Sequence, residues 1–96
     1  MAQLPINQSN EDVSNEIRQA AVDGTLLNIR YRAQDQEITE RTVEPYEIKK
    51  GKLFAYCTNK GGIRAFSLPS IEAAKQTETP FKARYTVRID ETTYIK

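Results

Sequence analysis

Along "NEDVSNEIRQAAVD", residues 10–23, apolar side chains fall at Val13, Ile17, Ala20 and Ala21, a spacing of i, i+4, i+7 and i+8. That spacing makes one stripe on a helix of 3.6 residues per turn. Ser9 and Asn10 offer a cap, Glu11 and Asp12 stand where the helix dipole favours anions, and Gly24 supplies a stop. A helix docked by its stripe is therefore predicted over 10–23. Residues 1–9, with Pro5 and several amides, read as a flexible leader.

After Gly24 the period drops to two. In "TLLNIRYR" Leu27, Ile29 and Tyr31 alternate with Asn28, Arg30 and Arg32, which predicts a half-buried strand over about 25–33. "AQDQE" makes a polar turn. "ITERTVEPY" is a second strand that Pro45 must end or leave at an edge, because proline has no N–H for the ladder. Lys50 and Gly51 turn the chain into "KLFAYCT", with Leu53, Ala55 and Cys57 on one face and Lys52, Phe54, Tyr56 and Thr58 on the other. Residues 59–62 close a hairpin into "IRAFSL", where Arg64 and Phe66 share a face. Pro69 breaks that strand, and "IEAAKQ" after it has helix propensity but also fits a last strand. "ARYTVRI" alternates again, and "TTYIK" is placed to pair back with it as a C-terminal hairpin within 83–96. One helix followed by short strands and tight turns implies a mainly β domain, closed as a small barrel because open edges invite aggregation.

Ninety-six residues hold one modest core. The 39% hydrophobic and 28% charged content is that of a globular domain, and no apolar run approaches the ~18 residues of a membrane span. With no signal segment either, a cytoplasmic protein is expected. A single cysteine, Cys57, and no histidine leave no internal disulfide, no usual zinc or iron site and no cofactor anchor. The missing histidine also removes the commonest general acid/base and every Ser-His or Cys-His pair, so no enzyme is expected.

Net charge is +1, yet its distribution is uneven. Between Ile48 and Ile71 stand Lys49, Lys50, Lys52, Lys60 and Arg64 without one acid, interleaved with Phe54, Tyr56 and Phe66. Cations beside aromatic rings on short strands suit a single-stranded nucleic acid, with phosphates on the cations and bases on the rings. The same residues also serve to keep hairpin ends soluble and to fill a small core.

Taken in order, Ala20, "LLNIRY", "RTVEPYEI", "GKLFAYC", "GGIRAFSLPSI" and Phe81 resemble the WYL domain, a bacterial sensory module usually found behind a DNA-binding winged helix. The likeness covers about residues 15–82 and rests on the spacing of Arg41, Val43 and Pro45, then Tyr56 and Cys57, then Arg64 and Phe66. It implies an N-terminal helix and a five-stranded Sm-like, SH3-type barrel over 10–82, with residues 71–76 as a strand and 83–96 as an added strand or hairpin. It further implies a non-enzymatic module for a negatively charged ligand, single-stranded nucleic acid or a nucleotide-type signal, of bacterial or phage origin. Carried over by position, Tyr31, Arg41, Tyr56, Arg64 and Phe66 are the ligand-facing set.

Departures from the family pattern thin that site. Of the naming tryptophan-tyrosine-leucine run only Leu53 survives, and the strand that normally carries three arginines keeps Arg64 alone, followed by Ala65, Phe66, Ser67, Leu68, Pro69, Ser70 and Ile71. Fewer cations mean fewer released counterions, hence weaker binding or a smaller anion. The residues ahead of the first strand are too few for a winged helix, so an accessory regulatory module is expected. The competing expectation is a protein-interaction or self-assembling Sm-like module, with the basic residues only solvating the surface. Phe66 has two open roles, a ring stacked on a ligand or a core side chain.

Overall fold

The computed structural model describes residue 4, residues 8–93 and residue 95. One helix, α1 (Asn10–Asp23), precedes five strands: β1 (Thr25–Arg32), β2 (Ile38–Lys49), β3 (Lys52–Cys57), β4 (Gly62–Ser67) and β5 (Ile71–Pro80), with a short 3-10 turn over Leu68–Ser70. Helix α1 starts where Ser9 accepts a hydrogen bond from the Asp12 N–H and stops at Gly24, whose φ of 73° lets its N–H reach the Ala20 carbonyl. Val13, Ile17, Ala20 and Ala21 are all buried, so the expected stripe is the docking face. Lys50 and Gly51 both have positive φ and join β2 to β3 in the two-residue hairpin that suits the twist of the strands.

All pairings are antiparallel, in the order β4-β3-β2-β1-β5. This corrects the expected closed Sm-like, SH3-type barrel: the strands form one open sheet. Side chains occupy the β5 edge that closure would have paired. The Gln8 amide donates to the Ala74 carbonyl at 3.0 Å and accepts its N–H at 2.8 Å, and Glu16 of α1 accepts the Gln76 N–H at 2.7 Å. Helix α1 packs mainly against that same strand. Of the expected leader, Gln8 is thus bound and Leu4 is buried, while residues 1–3 and 5–7 lie outside the described residues.

The inner face carries the core. Leu27, Ile29, Val43, Leu53, Ala55, Cys57, Phe66 and Ala74 join the helix stripe there, all essentially excluded from water. Residues 71–76 are strand despite their helix propensity, since burial of Ile71 and Ala74 against β1 outweighs the intrinsic preference. Pro45 does not end β2. Pairing with β1 stops at Val43, so the ladder on that side has no claim on the missing N–H, and a bulge between Pro45 and Glu47 absorbs the irregularity against β3.

A second correction concerns residues 83–96. No strand follows Pro80 among the described residues, and Tyr94 and Lys96 of the expected hairpin lie outside them. The segment 81–93 instead runs as an irregular strap across β2. Its anchors are the Phe81 N–H on the Gly24 carbonyl, the Arg88 N–H on the Tyr46 carbonyl and Ile89 in the core. Alternation within it was real, but its backbone bond to β2, from the Arg88 N–H to the Tyr46 carbonyl, is not continued into a ladder. Among the described residues no helix is long and apolar enough to cross a membrane.

Candidate functional site

Cross-strand neighbours share a face, so the register decides which candidate residues meet. Arg41 stands opposite Ile29, Phe66 opposite Leu53 and Arg64 opposite Ala55, which puts all three on the inner face with the core. Tyr31 belongs to the same face by its alternation with Leu27 and Ile29. Four of the five expected residues, Tyr31, Arg41, Arg64 and Phe66, line one open cleft of about 940 Å³ between the β1–β2 turn and β4, and Lys52 lines it too. Tyr56 does not. It sits on the outer face, where the Arg84 guanidinium covers its ring at 4.0 Å from the centroid.

The four play different parts. Phe66 is only 2% exposed and packs edge-on against Tyr31, with centroids 5.1 Å apart and planes at 81°. Of its two open roles the structure shows the core one. Tyr31 is half-buried, and its hydroxyl accepts the Ser67 N–H at 3.4 Å, tying β1 to the end of β4. Arg41 is half-buried, donating to Thr39 Oγ1 at 3.3 Å and to Cys57 Sγ at 3.7 Å. Burial pushes the Cys57 thiol up, but the hydrogen bond from Arg41 and the backbone N–H groups of Lys60 and Asn59 outweigh it, leaving the thiol below its ordinary range. Arg64 is exposed on β4, an edge strand of the sheet, whereas α1 packs mainly against β5 at the other edge.

Electrostatically the cleft is cationic on three strands. Among the described residues Arg41, Lys52 and Arg64 have no carboxylate partner, whereas nearby acids are taken: Glu40 by Arg30, Glu44 by Arg84 and Glu72 by Arg32. Arg32 also lines the cleft but is neutralised by that pair. Asp35 and Glu37 stand on the turn that forms the far wall, both exposed, with Asp35 accepting the Glu37 N–H. Lys52 was visible in the sequence only as one of five basic residues, since strand alternation assigned it to the outer face and nothing local placed the strand's first residue beside the cleft.

A second polar cluster, on the outer side, had no sequence signal beyond its separate residues. Glu44 is buried, accepting the Tyr46 hydroxyl at 2.6 Å and Arg84 Nε at 3.2 and 3.3 Å. Tyr46 in turn accepts the Arg84 N–H and meets Phe81 and Tyr85 edge-on. Burial raises the Tyr46 phenol to about 12, with the Arg84 N–H opposing and the Glu44 carboxylate adding to the shift.

The family model of the WYL domain matches residues 12–76. Among solved structures the chain is similar to proteasome accessory factor B/C (PafBC) of Arthrobacter aurescens, with 27% sequence identity and a TM-score of 0.66. The likeness covers 82% of this chain and 13% of that one, so the chain corresponds to a small part of the longer protein. No curated protein matches.

Proposed function

Since the chain belongs to the WYL domain family, we propose that it is a regulatory ligand-sensing module, acting in the cytoplasm, whose ligand is an anion held in the cleft of Arg41, Lys52 and Arg64. One observation carries this reading: three cations from three strands line one cleft, and none has a carboxylate partner among the described residues. A surface lysine or arginine that only solvates a fold costs nothing by standing alone, but three converging on one concavity raise the local concentration of anions. Single-stranded nucleic acid and nucleotide-type anions are the ligand classes the family resemblance favours.

Binding ties the open β4 edge to β2 through the anion, since Arg64 and Arg41 sit on strands separated by β3. A ligand that prefers this arrangement stabilises it by mass action, which is the means by which such a module reports its ligand. The test is anisotropy of a labelled short single strand at two salt concentrations. With three phosphate contacts the log-log salt slope should be about −2. Arg64→Ala should weaken binding and flatten the slope by about 0.7. A slope of zero, or no binding at low salt, overturns nucleic acid as the ligand.

A second reading, a protein-interaction or self-assembling module, draws on the β4 edge. Ile63 is 44% exposed there, and among the described residues no strand pairs on that side. Sedimentation across a concentration series distinguishes the two, because self-assembly changes mass without any anion.

A further inference from the structure

We infer that the cleft recognises the charged chain of a polyphosphate-type ligand and not the face of a base. This rests on the reading of the cleft as an anion site and names what that site reads. Stacking requires an exposed ring face. Phe66 offers none, being 2% exposed and fixed edge-on by Tyr31. Tyr31 is half-buried, its ring held at right angles to that of Phe66 and its hydroxyl by the Ser67 N–H, so it cannot swing to follow a base without breaking that hydrogen bond. The third candidate ring, Tyr56, is on the opposite face beneath Arg84. Among the described residues no other aromatic side chain lines the cleft.

Charge, by contrast, is spread and accessible. Lys52 stands opposite Ser67, and Arg64 lies three residues before Ser67, so their backbone positions are about 10 Å apart along the strand direction. Arg41 adds a third from β2. Lys52 and Arg64 are both exposed and free to follow the ligand. Cations anchored at positions this far apart suit several linked phosphates better than one. Asp35 and Glu37 on the far wall repel a second run of phosphates and confine the chain to the cationic side.

Calorimetry of the full chain at low salt tests this with tripolyphosphate, ATP, GTP, CTP and adenosine. Tripolyphosphate and the three nucleotides should bind within about threefold of one another, adenosine should not bind, and Arg64→Ala should weaken all four by a common factor of about five to ten. A preference of about tenfold or more for one base, or a nucleotide that binds where tripolyphosphate does not, overturns the inference and leaves the anion site standing. Tripolyphosphate binding that survives both Arg64→Ala and Lys52→Ala unchanged places the anion elsewhere and also overturns it. If none of the anions binds, the anion-site reading falls as well.

Discussion

The guanidinium of Arg84 lies over the ring of Tyr56, 4.0 Å from its centroid, while its Nε holds the buried carboxylate of Glu44. One side chain of an irregular strap therefore completes a cation–π contact and neutralises a charge taken out of water. Both partners belong to the outer face of β2 and β3. The strap lies beyond the residues that the family model matches.

Truncating Arg84 should leave Glu44 buried with the Tyr46 hydroxyl as its remaining partner. Arg84→Ala is expected to lower stability by about 1 to 3 kcal/mol, the cost of an imperfectly satisfied buried group, moderated by the half-exposure of Arg84 itself. Adding Glu44→Gln to that variant should recover part of the loss, because the stranded group is then neutral. Urea melts of the two variants decide it, and an unchanged midpoint for Arg84→Ala shows the strap to be energetically idle.

Tyr46 should give the protein an alkaline limit. Its phenol is raised from 10.0 to about 12 by burial, so the folded state holds this proton more tightly than the unfolded chain does. The corresponding stability is present in full below pH 10 and is lost as the pH rises from 10 towards 12. Tyrosinate absorbance should show one of the five tyrosines ionising late, together with loss of structure, and Tyr46→Phe should remove that step. Identical tyrosinate titrations of the parent and the Tyr46→Phe variant above pH 10 refute the assignment.

Phe66→Ala should cost about 3 to 5 kcal/mol, as removal of a buried ring does, and should destabilise the domain whether or not an anion is present. Arg64→Ala, two residues away on the same face, should leave the denaturation midpoint within about 0.5 kcal/mol of the parent. A stable Phe66→Ala protein contradicts the core position.

Ile17→Ala should cost about 2 to 5 kcal/mol, because Ile17 is wholly buried where α1 meets the sheet. Val22→Ala on the exposed side of the same helix supplies the control and should change little. Equal midpoints for the two variants mean that the stripe is not the docking face.

Helix α1 and its caps were legible because periodicity, Ser9 and Gly24 act within a few residues of one another. The same holds for β1, β3 and β4, whose alternation matches the buried set of Leu27, Ile29, Leu53, Ala55, Cys57 and Phe66. Alternation states that two side chains share a face. It does not state what lies above that face. Arg64 and Phe66 are equivalent by that rule, yet one is exposed and the other buried, because only Phe66 meets Tyr31 from the far end of the sheet. Residues 83–89 alternate as well as any strand and form none, since a strand is completed only by a partner's backbone. Closure depended in the same way on distant groups: Gln8 and Glu16 fill the β5 edge from far away in the chain, and the sheet stays open. Local order followed from contacts between near neighbours, and the sequence by itself determined it. Burial, pairing and the meeting of Arg41, Lys52 and Arg64 in one cleft were decided only by the tertiary structure, because each depends on chain segments that no local pattern names.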